Sequence, residues 1–79
     1  MRLDKYLKVS RLIKRRTVAN EACDSGRVMI GDRIAKASSD VKPGDIITIS
    51  FGNREVKVEV LTVKETVKKE EAAEMYRYV

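Results

Sequence analysis

Apolar positions follow two different periods along this chain, and the change from one to the other falls near Arg27. Before it the spacing is helical. Leu3, Tyr6 and Leu7 stand at i, i+3 and i+4, which predicts a first helix of about two turns with a short apolar stripe. Basic positions Arg2, Lys5, Lys8 and Arg11 advance by threes, so on one long helix their direction would drift around the axis. A break near Val9–Ser10 keeps them on one side and leaves Leu12 and Ile13 to plug the core at the turn. Val18, Ala19, Ala22 and Cys23 then repeat as the buried stripe of a second helix. Thr17 is its expected cap and Gly26 its expected stop, with Asn20, Glu21 and Asp24 facing away from the core.

From Arg27 onward the period is two. Val28 and Ile30 alternate with Arg27 and Met29, and Gly31-Asp32 reads as a tight turn. Ser38 and Ser39 lead into Val41-Lys42-Pro43-Gly44-Asp45, a proline–glycine turn. Ile47, Ile49 and Phe51 alternate along a strand, and Gly52-Asn53 turns the chain back into Val56, Val58 and Val60. A last helix is expected from about Lys68 to Tyr78, within residues 66–78, with Ala72, Ala73 and Tyr76 inward. The pattern predicts an α+β fold: two N-terminal helices packed on a small, mostly antiparallel sheet, with a short C-terminal helix. One domain spanning residues 1–79 is expected, its core motif over about residues 1–62.

Composition narrows the chemistry. With no histidine and one cysteine, no Cys/His zinc cluster, internal disulfide, or Ser/His or Cys/His nucleophilic pair can form within the chain. There is no Gly-rich loop of phosphate-binding spacing, and the carboxylates are scattered. No catalytic residue, metal ligand or cofactor is therefore expected, and Cys23 reads as a small core residue. No apolar run approaches a membrane span and no hydrophobic signal segment opens the chain, so a reduced cytoplasm is the simplest compartment.

Charge changes the picture more. The formal net charge is +5, and residues 1–36 alone hold ten basic residues against four acidic ones. Residues 37–63 are slightly acidic and residues 64–79 are balanced. Between Arg2 and Arg16 seven basic residues face one acid, Asp4. Like charges this close repel, and a polyanion is the natural compensation because each neutralised phosphate releases counterions. An acidic membrane surface would need a long apolar face opposite the charges, which the first helix is too short to offer.

Arg11, Arg15 and Arg16 cluster where the second helix begins and make a credible phosphate clamp, since guanidinium pairs bidentately with phosphate. Solvated surface charge is the plainer alternative. Lys5, Lys8, Lys14 and Arg27 are expected electrostatic contributors, and Lys36, beyond the first hairpin, could reach the same surface. Asp4 is expected to pair with Lys8 at i+4 or to orient an arginine. The spacing of Tyr6 with Leu3 favours the core over base stacking, and Tyr76 and Tyr78 read as packing residues. With 5% aromatic residues, recognition of RNA would rest on shape and phosphates.

Four stretches in this order carry a resemblance: Met1-Arg2-Leu3-Asp4-Lys5-Tyr6-Leu7, Arg15-Arg16-Thr17-Val18-Ala19, Ser25-Gly26-Arg27-Val28-Met29-Ile30-Gly31-Asp32 and Val41-Lys42-Pro43-Gly44-Asp45. Together they resemble the RNA-binding domain named after ribosomal protein S-four, found also in pseudouridine synthases, bacterial tyrosyl-tRNA synthetases and small stand-alone proteins. The motifs cover roughly residues 1–50, and the hairpin extends the likeness to about residue 62. The resemblance matches Arg2 to the family's leading arginine and Arg16 to its arginine at the second helix start. The opening Arg-Leu-Asp-Lys, the run Ser10-Arg11-Leu12-Ile13-Lys14-Arg15-Arg16 and Lys68-Lys69-Glu70-Glu71-Ala72-Ala73-Glu74-Met75-Tyr76 resemble a stand-alone branch that acts in ribosome-associated quality control.

A monomer is expected, and the resemblance implies that it binds large ribosomal subunits blocked by peptidyl-tRNA and contacts both ribosomal RNA and tRNA. It also implies help to a partner factor that adds untemplated alanine to the stalled chain. Two departures stand out: Gly31-Asp32 replaces a turn that is commonly Asn-Gly, which should alter turn geometry, and the long basic C-terminal extension of the related heat-shock protein is missing. The alternatives are a generic structured-RNA chaperone or translation regulator of the same fold, or an RNA-binding appendage of an RNA-modifying enzyme. A start at Met1 and an end after a capping helix argue against the appendage.

Overall fold

Alternation over residues 46–60 gives one face of a hairpin to the core and the other to water. In the computed structural model, which describes residues 1–79, β3 (Ile46–Phe51) and β4 (Arg54–Val60) pair as the pattern predicts, Phe51 opposite Arg54 and Ile47 opposite Val58. Gly52 opens the two-residue loop at φ +58, a left-handed conformation that strains any residue with a Cβ. Ile47, Ile49, Val58 and Val60 are buried, each worth about 1.5–3 kcal/mol of apolar burial, while Arg54, Glu55 and Lys57 face solvent. β1 (Val28–Ile30) runs antiparallel along the other side of β3, Val28 opposite Ile49, and β2 (Arg33–Ile34) folds back on β1.

α1 (Leu3–Val9) stops where the sequence predicts, with Ser10 as C-cap and Arg11 turning the chain at φ +64. Leu3, Tyr6, Leu7 and Ile13 are buried, and Leu12 packs half-buried against them. A helix start leaves backbone donors open. Here the loop before β3 closes them: the N–H of Leu3 donates to the Ser39 carbonyl at 2.8 Å and that of Asp4 to the Ala37 carbonyl at 3.2 Å.

α2 (Arg16–Asp24) departs from expectation at its start. Arg15 is extended and takes the cap position, so Thr17 lies inside the first turn, exposed, and caps nothing. Gly26, just past the helix, has φ +80 as expected. Ala19, Ala22 and Cys23 are buried, but Val18 is 49% exposed and does not belong to the stripe. The buried face centres between Ala19 and Cys23, which leaves Val18 about 120° off it. Asn20, on the opposite margin, is half-buried and turns toward α1 instead of solvent. Both helices close over the apolar face of the sheet.

The C-terminal expectation needs a larger correction. α3 (Lys69–Ala72) is a single turn, followed by a 3-10 turn over Ala73–Met75, and Tyr76–Tyr78 form a strand, β5, paired antiparallel with β4. Val60 lies opposite Tyr76 and Val58 opposite Tyr78, so the sheet has five strands in the order β2-β1-β3-β4-β5. The open edge of β4 offers unpaired backbone groups, and filling them outweighs the helical preference of a short tail rich in tyrosine. Ala72 and Met75 point inward, whereas Ala73 and Tyr78 are exposed and Tyr76 is half-buried. The Met75 carbonyl accepts the Tyr6 hydroxyl at 2.9 Å and the Leu61 N–H at 2.8 Å, joining α1, the end of β4 and the tail.

Candidate nucleic-acid interface

The one acid of the basic opening, Asp4, sits at the joint between the two helices. It is buried, and five hydrogen bonds and one further ion-pair contact converge on it. Its own neighbour Lys5 donates its backbone N–H to Oδ1 at 2.8 Å. From one side Arg2 approaches, Nε at 3.2 Å from Oδ1 and Nη2 at 3.4 Å from Oδ2. From the other side Arg16 approaches, Nε at 3.4 Å from Oδ2 and Nη2 at 3.5 Å from Oδ1. Asn20, one turn after Arg16 on α2, donates from Nδ2 to Oδ2 at 3.3 Å.

Burial works to raise the pKa of Asp4, but the hydrogen bonds from Asn20 and Arg16, the charge of Arg16 and the hydrogen bond from Arg2 outweigh it. The carboxyl is held below its ordinary value and stays ionised near neutrality. Arg2 gives Asp4 two hydrogen bonds and Arg16 one, and both side chains remain about half exposed, which leaves guanidinium donors unspent. Of the two roles expected for Asp4, orienting arginines is the one realised; Lys8 forms no ion pair with it and lines a neighbouring cleft.

That cleft, of about 660 Å³, lies where α1 ends and α2 begins. Lys5 and Lys8 on α1, Arg11 and Lys14 in the turn, and Arg16 on α2 line it from the helical side. The left-handed Arg11 makes this possible, because reversing the chain there places residues 11–16 beside residues 5–8. A non-glycine residue in that conformation costs on the order of 1 kcal/mol. Glu65, Thr66, Val67 and Lys69 close the opposite wall, and Lys5 Nζ forms an ion pair with Glu65. A second depression, about 380 Å³, is lined by Asp4, Arg16, Thr17, Asn20 and Glu21, so Arg16 borders both.

Of the nine basic residues singled out from the sequence, the structure brings Lys5, Lys8, Arg11, Lys14 and Arg16 into one cleft and attaches Arg2 to it through Asp4. Arg15, Arg27 and Lys36 do not line it. Arg15 is the exposed cap of α2; Arg27 lies beyond the far end of that helix, its Nε donating to Ser25 Oγ at 2.8 Å; Lys36 stands in the loop before β3. Sequence reasoning missed Asn20, whose i+4 spacing from Arg16 was the available signal. It also missed the wall over residues 65–69, which no local pattern announces.

Tyr6 is fully buried with its hydroxyl bonded, so it packs instead of stacking on bases. No three His, Cys, Asp or Glu side chains come together as a metal site, and no helix is long and apolar enough to cross a membrane. The arrangement can neutralise and orient an anionic backbone laid across the α1–α2 joint.

Fold and site together define a small α+β binding module of the S4 domain class: two helices on an antiparallel sheet, with a basic helical joint. The S4 domain model matches residues 1–47. The chain belongs to the S4 domain family, in the branch whose members are named RQC P-site tRNA stabilizing factor. It is 64% identical over 76 residues to the protein of that name from Bacillus subtilis (strain 168), covering 96% of this chain and 88% of that one. The Streptococcus pneumoniae protein of the same name is 54% identical over 79 residues, covering 100% of this chain and 90% of that one. The trimeric structure of Vibrio cholerae heat shock protein 15 is similar over all of this chain and 81% of that one, with a TM-score of 0.91 at 30% identity.

Proposed function

We propose that this protein binds structured RNA on large ribosomal subunits obstructed by peptidyl-tRNA, touching both ribosomal RNA and tRNA, and thereby assists alanine tailing of the stalled chain by a partner factor. It acts by binding, as a cytoplasmic monomer without chemistry of its own. The observation that carries the reading is the pair of arginines, Arg2 and Arg16, held on one buried carboxylate beside a cleft of lysines and arginines. A guanidinium fixed in this way loses little freedom when its free edge takes a phosphate, and its fork matches two phosphate oxygens. The name of its relatives, P-site tRNA stabilizing factor, supports tRNA as part of the target. In this reading Lys5, Lys8, Arg11 and Lys14 supply the field around the clamp, and Arg15, Arg27 and Lys36 extend it with weaker effect.

Titrating binding to a labelled tRNA at several salt concentrations tests the site. About five phosphate contacts give a log–log slope near −3.5 to −4.5. Arg16→Ala should weaken binding about ten- to hundredfold, the scale of one or two charge-assisted hydrogen bonds, while the domain still melts cooperatively, at a somewhat lower temperature because buried Asp4 loses a partner. Unchanged affinity would remove Arg16 from the site. Sucrose-gradient sedimentation of tagged protein tests the target: selective recovery with tRNA-bearing large subunits supports the quality-control reading, and equal recovery with any RNA replaces it with a general structured-RNA binder.

A further inference from the structure

The segment between β4 and α3 was not expected to take part in binding, yet it forms a wall of the basic cleft. Lys69, the first residue of α3, is exposed and adds a sixth cation to the lining provided by Lys5, Lys8, Arg11, Lys14 and Arg16. Glu65 is the single acid in that lining, and its carboxylate is already engaged by Lys5. An anion entering the cleft therefore meets five cations without a carboxylate partner from the wall and one, Lys5, that is held back by an internal one.

We propose that residues 65–69 belong to the RNA site, with Lys69 as a phosphate-binding residue and Glu65 as an internal competitor that holds Lys5 until an RNA phosphate displaces it. This rests on the RNA-binding reading and deepens it. Two features of the fold fix the wall in place. The Met75 carbonyl ties the tail to Tyr6 on α1, and the Glu71 carboxylate accepts the backbone N–H of Lys68 at 3.2 Å, closing the start of α3. The hydrogen bond and charge of Lys5 keep the Glu65 carboxyl below its ordinary pKa, so it competes as an anion at neutral pH. An exposed pair of this kind is weak, which lets a phosphate exchange for the carboxylate. The pair also lowers the penalty of like charge within the cleft of the free protein.

The test compares Glu65→Gln and Lys69→Ala with matched charge changes at Glu55 and Lys57, exposed β4 residues that do not line the cleft. Binding of the full chain to labelled tRNA is measured from low to moderate salt, with melting curves alongside. Glu65→Gln should tighten binding about two- to fivefold beyond Glu55→Gln, and this excess should shrink when Lys5 is replaced by alanine. Lys69→Ala should weaken binding and flatten the log–log salt slope by about 0.7–0.9, the share of one phosphate contact, whereas Lys57→Ala should leave the slope unchanged. The proposal is overturned if Glu65→Gln only matches Glu55→Gln, if its excess survives loss of Lys5 undiminished, or if Lys69→Ala only matches Lys57→Ala. In those cases a retained dependence on Arg16 leaves the RNA-binding reading standing, and loss of both removes the two together.

Discussion

The β3–β4 hairpin and the α1–α2 joint use similar residues in opposite ways. On the hairpin two basic and two acidic side chains alternate along β4, and Arg77 on β5 reaches across to Glu59 at 2.7 Å. Charge there is balanced locally and keeps one face of the sheet wet. On the joint, cations gather with one another, and the acid among them is buried and shared by two arginines. The hairpin is arranged to need nothing further. The joint keeps a self-repulsion that an anionic partner would relieve.

The strongest way to break this contrast is to attack what the two regions share. Leu7 is fully buried in the core that also holds Ile47 and Val58, so Leu7→Ala should cost about 2–5 kcal/mol. In a domain with little stability to spare, that should abolish RNA binding and the cooperative melting transition together. Retained cooperativity at full stability would mean that the joint does not rest on the sheet's core.

Asp4→Asn sharpens the contrast next. It makes the protein more positive yet should weaken tRNA binding, by about 1–3 kcal/mol, because Arg2 and Arg16 lose the anion that aims them. Tighter binding would show that bulk charge is all that matters. The same carboxyl sets an acid limb: its folded pKa lies below the unfolded value near 3.8, so its stabilisation is present above that value and fades as pH falls through the lower folded one. Melting temperature plotted against pH below about 4 should therefore drop less steeply in Asp4→Asn.

Smaller effects separate binding from stability. Arg11→Gly should raise the stability against unfolding by up to about 1 kcal/mol, through relief at φ +64, while weakening RNA binding. Urea titration and filter binding on the same preparation check both signs. Arg54, whose guanidinium lies 5.8 Å from the Phe51 ring centre, is the control on the hairpin. Its replacement by alanine should cost about 0.5 kcal/mol and leave the salt slope of RNA binding untouched.

The sequence exposes these regions unequally, for physical reasons. The hairpin is readable to the residue because a two-residue glycine loop and strict alternation fix one register. The break after Val9 and the glycine stop of α2 are equally local and were equally visible. Val18 was misplaced because a stripe of spacing i, i+1, i+4, i+5 has two margins, and contact with Asp4 decides that Asn20 is the one turned in. β5 was missed because Tyr76-Arg77-Tyr78 is too short to show a period, and the edge it fills belongs to a strand some twenty residues earlier. The clamp follows the same division. Arg16 stands out in the arginine cluster at the start of α2 and Arg2 through the family resemblance, while the cleft's far wall exists only once the tail has paired with β4 and met Tyr6.

Cys23 turns the α2 interface into a clock. It is the sole thiol, buried on the inner face of α2, and burial first, then the charges of Asp4 and Asp24, push its pKa up to about 11. Alkylating reagents consume the thiolate, which is scarce there at neutral pH and shielded while the helix is seated. The labelling rate of the unmodified protein thus reads how often α2 lifts from the sheet, with no probe added. RNA that spans the joint should slow that clock in proportion to its occupancy.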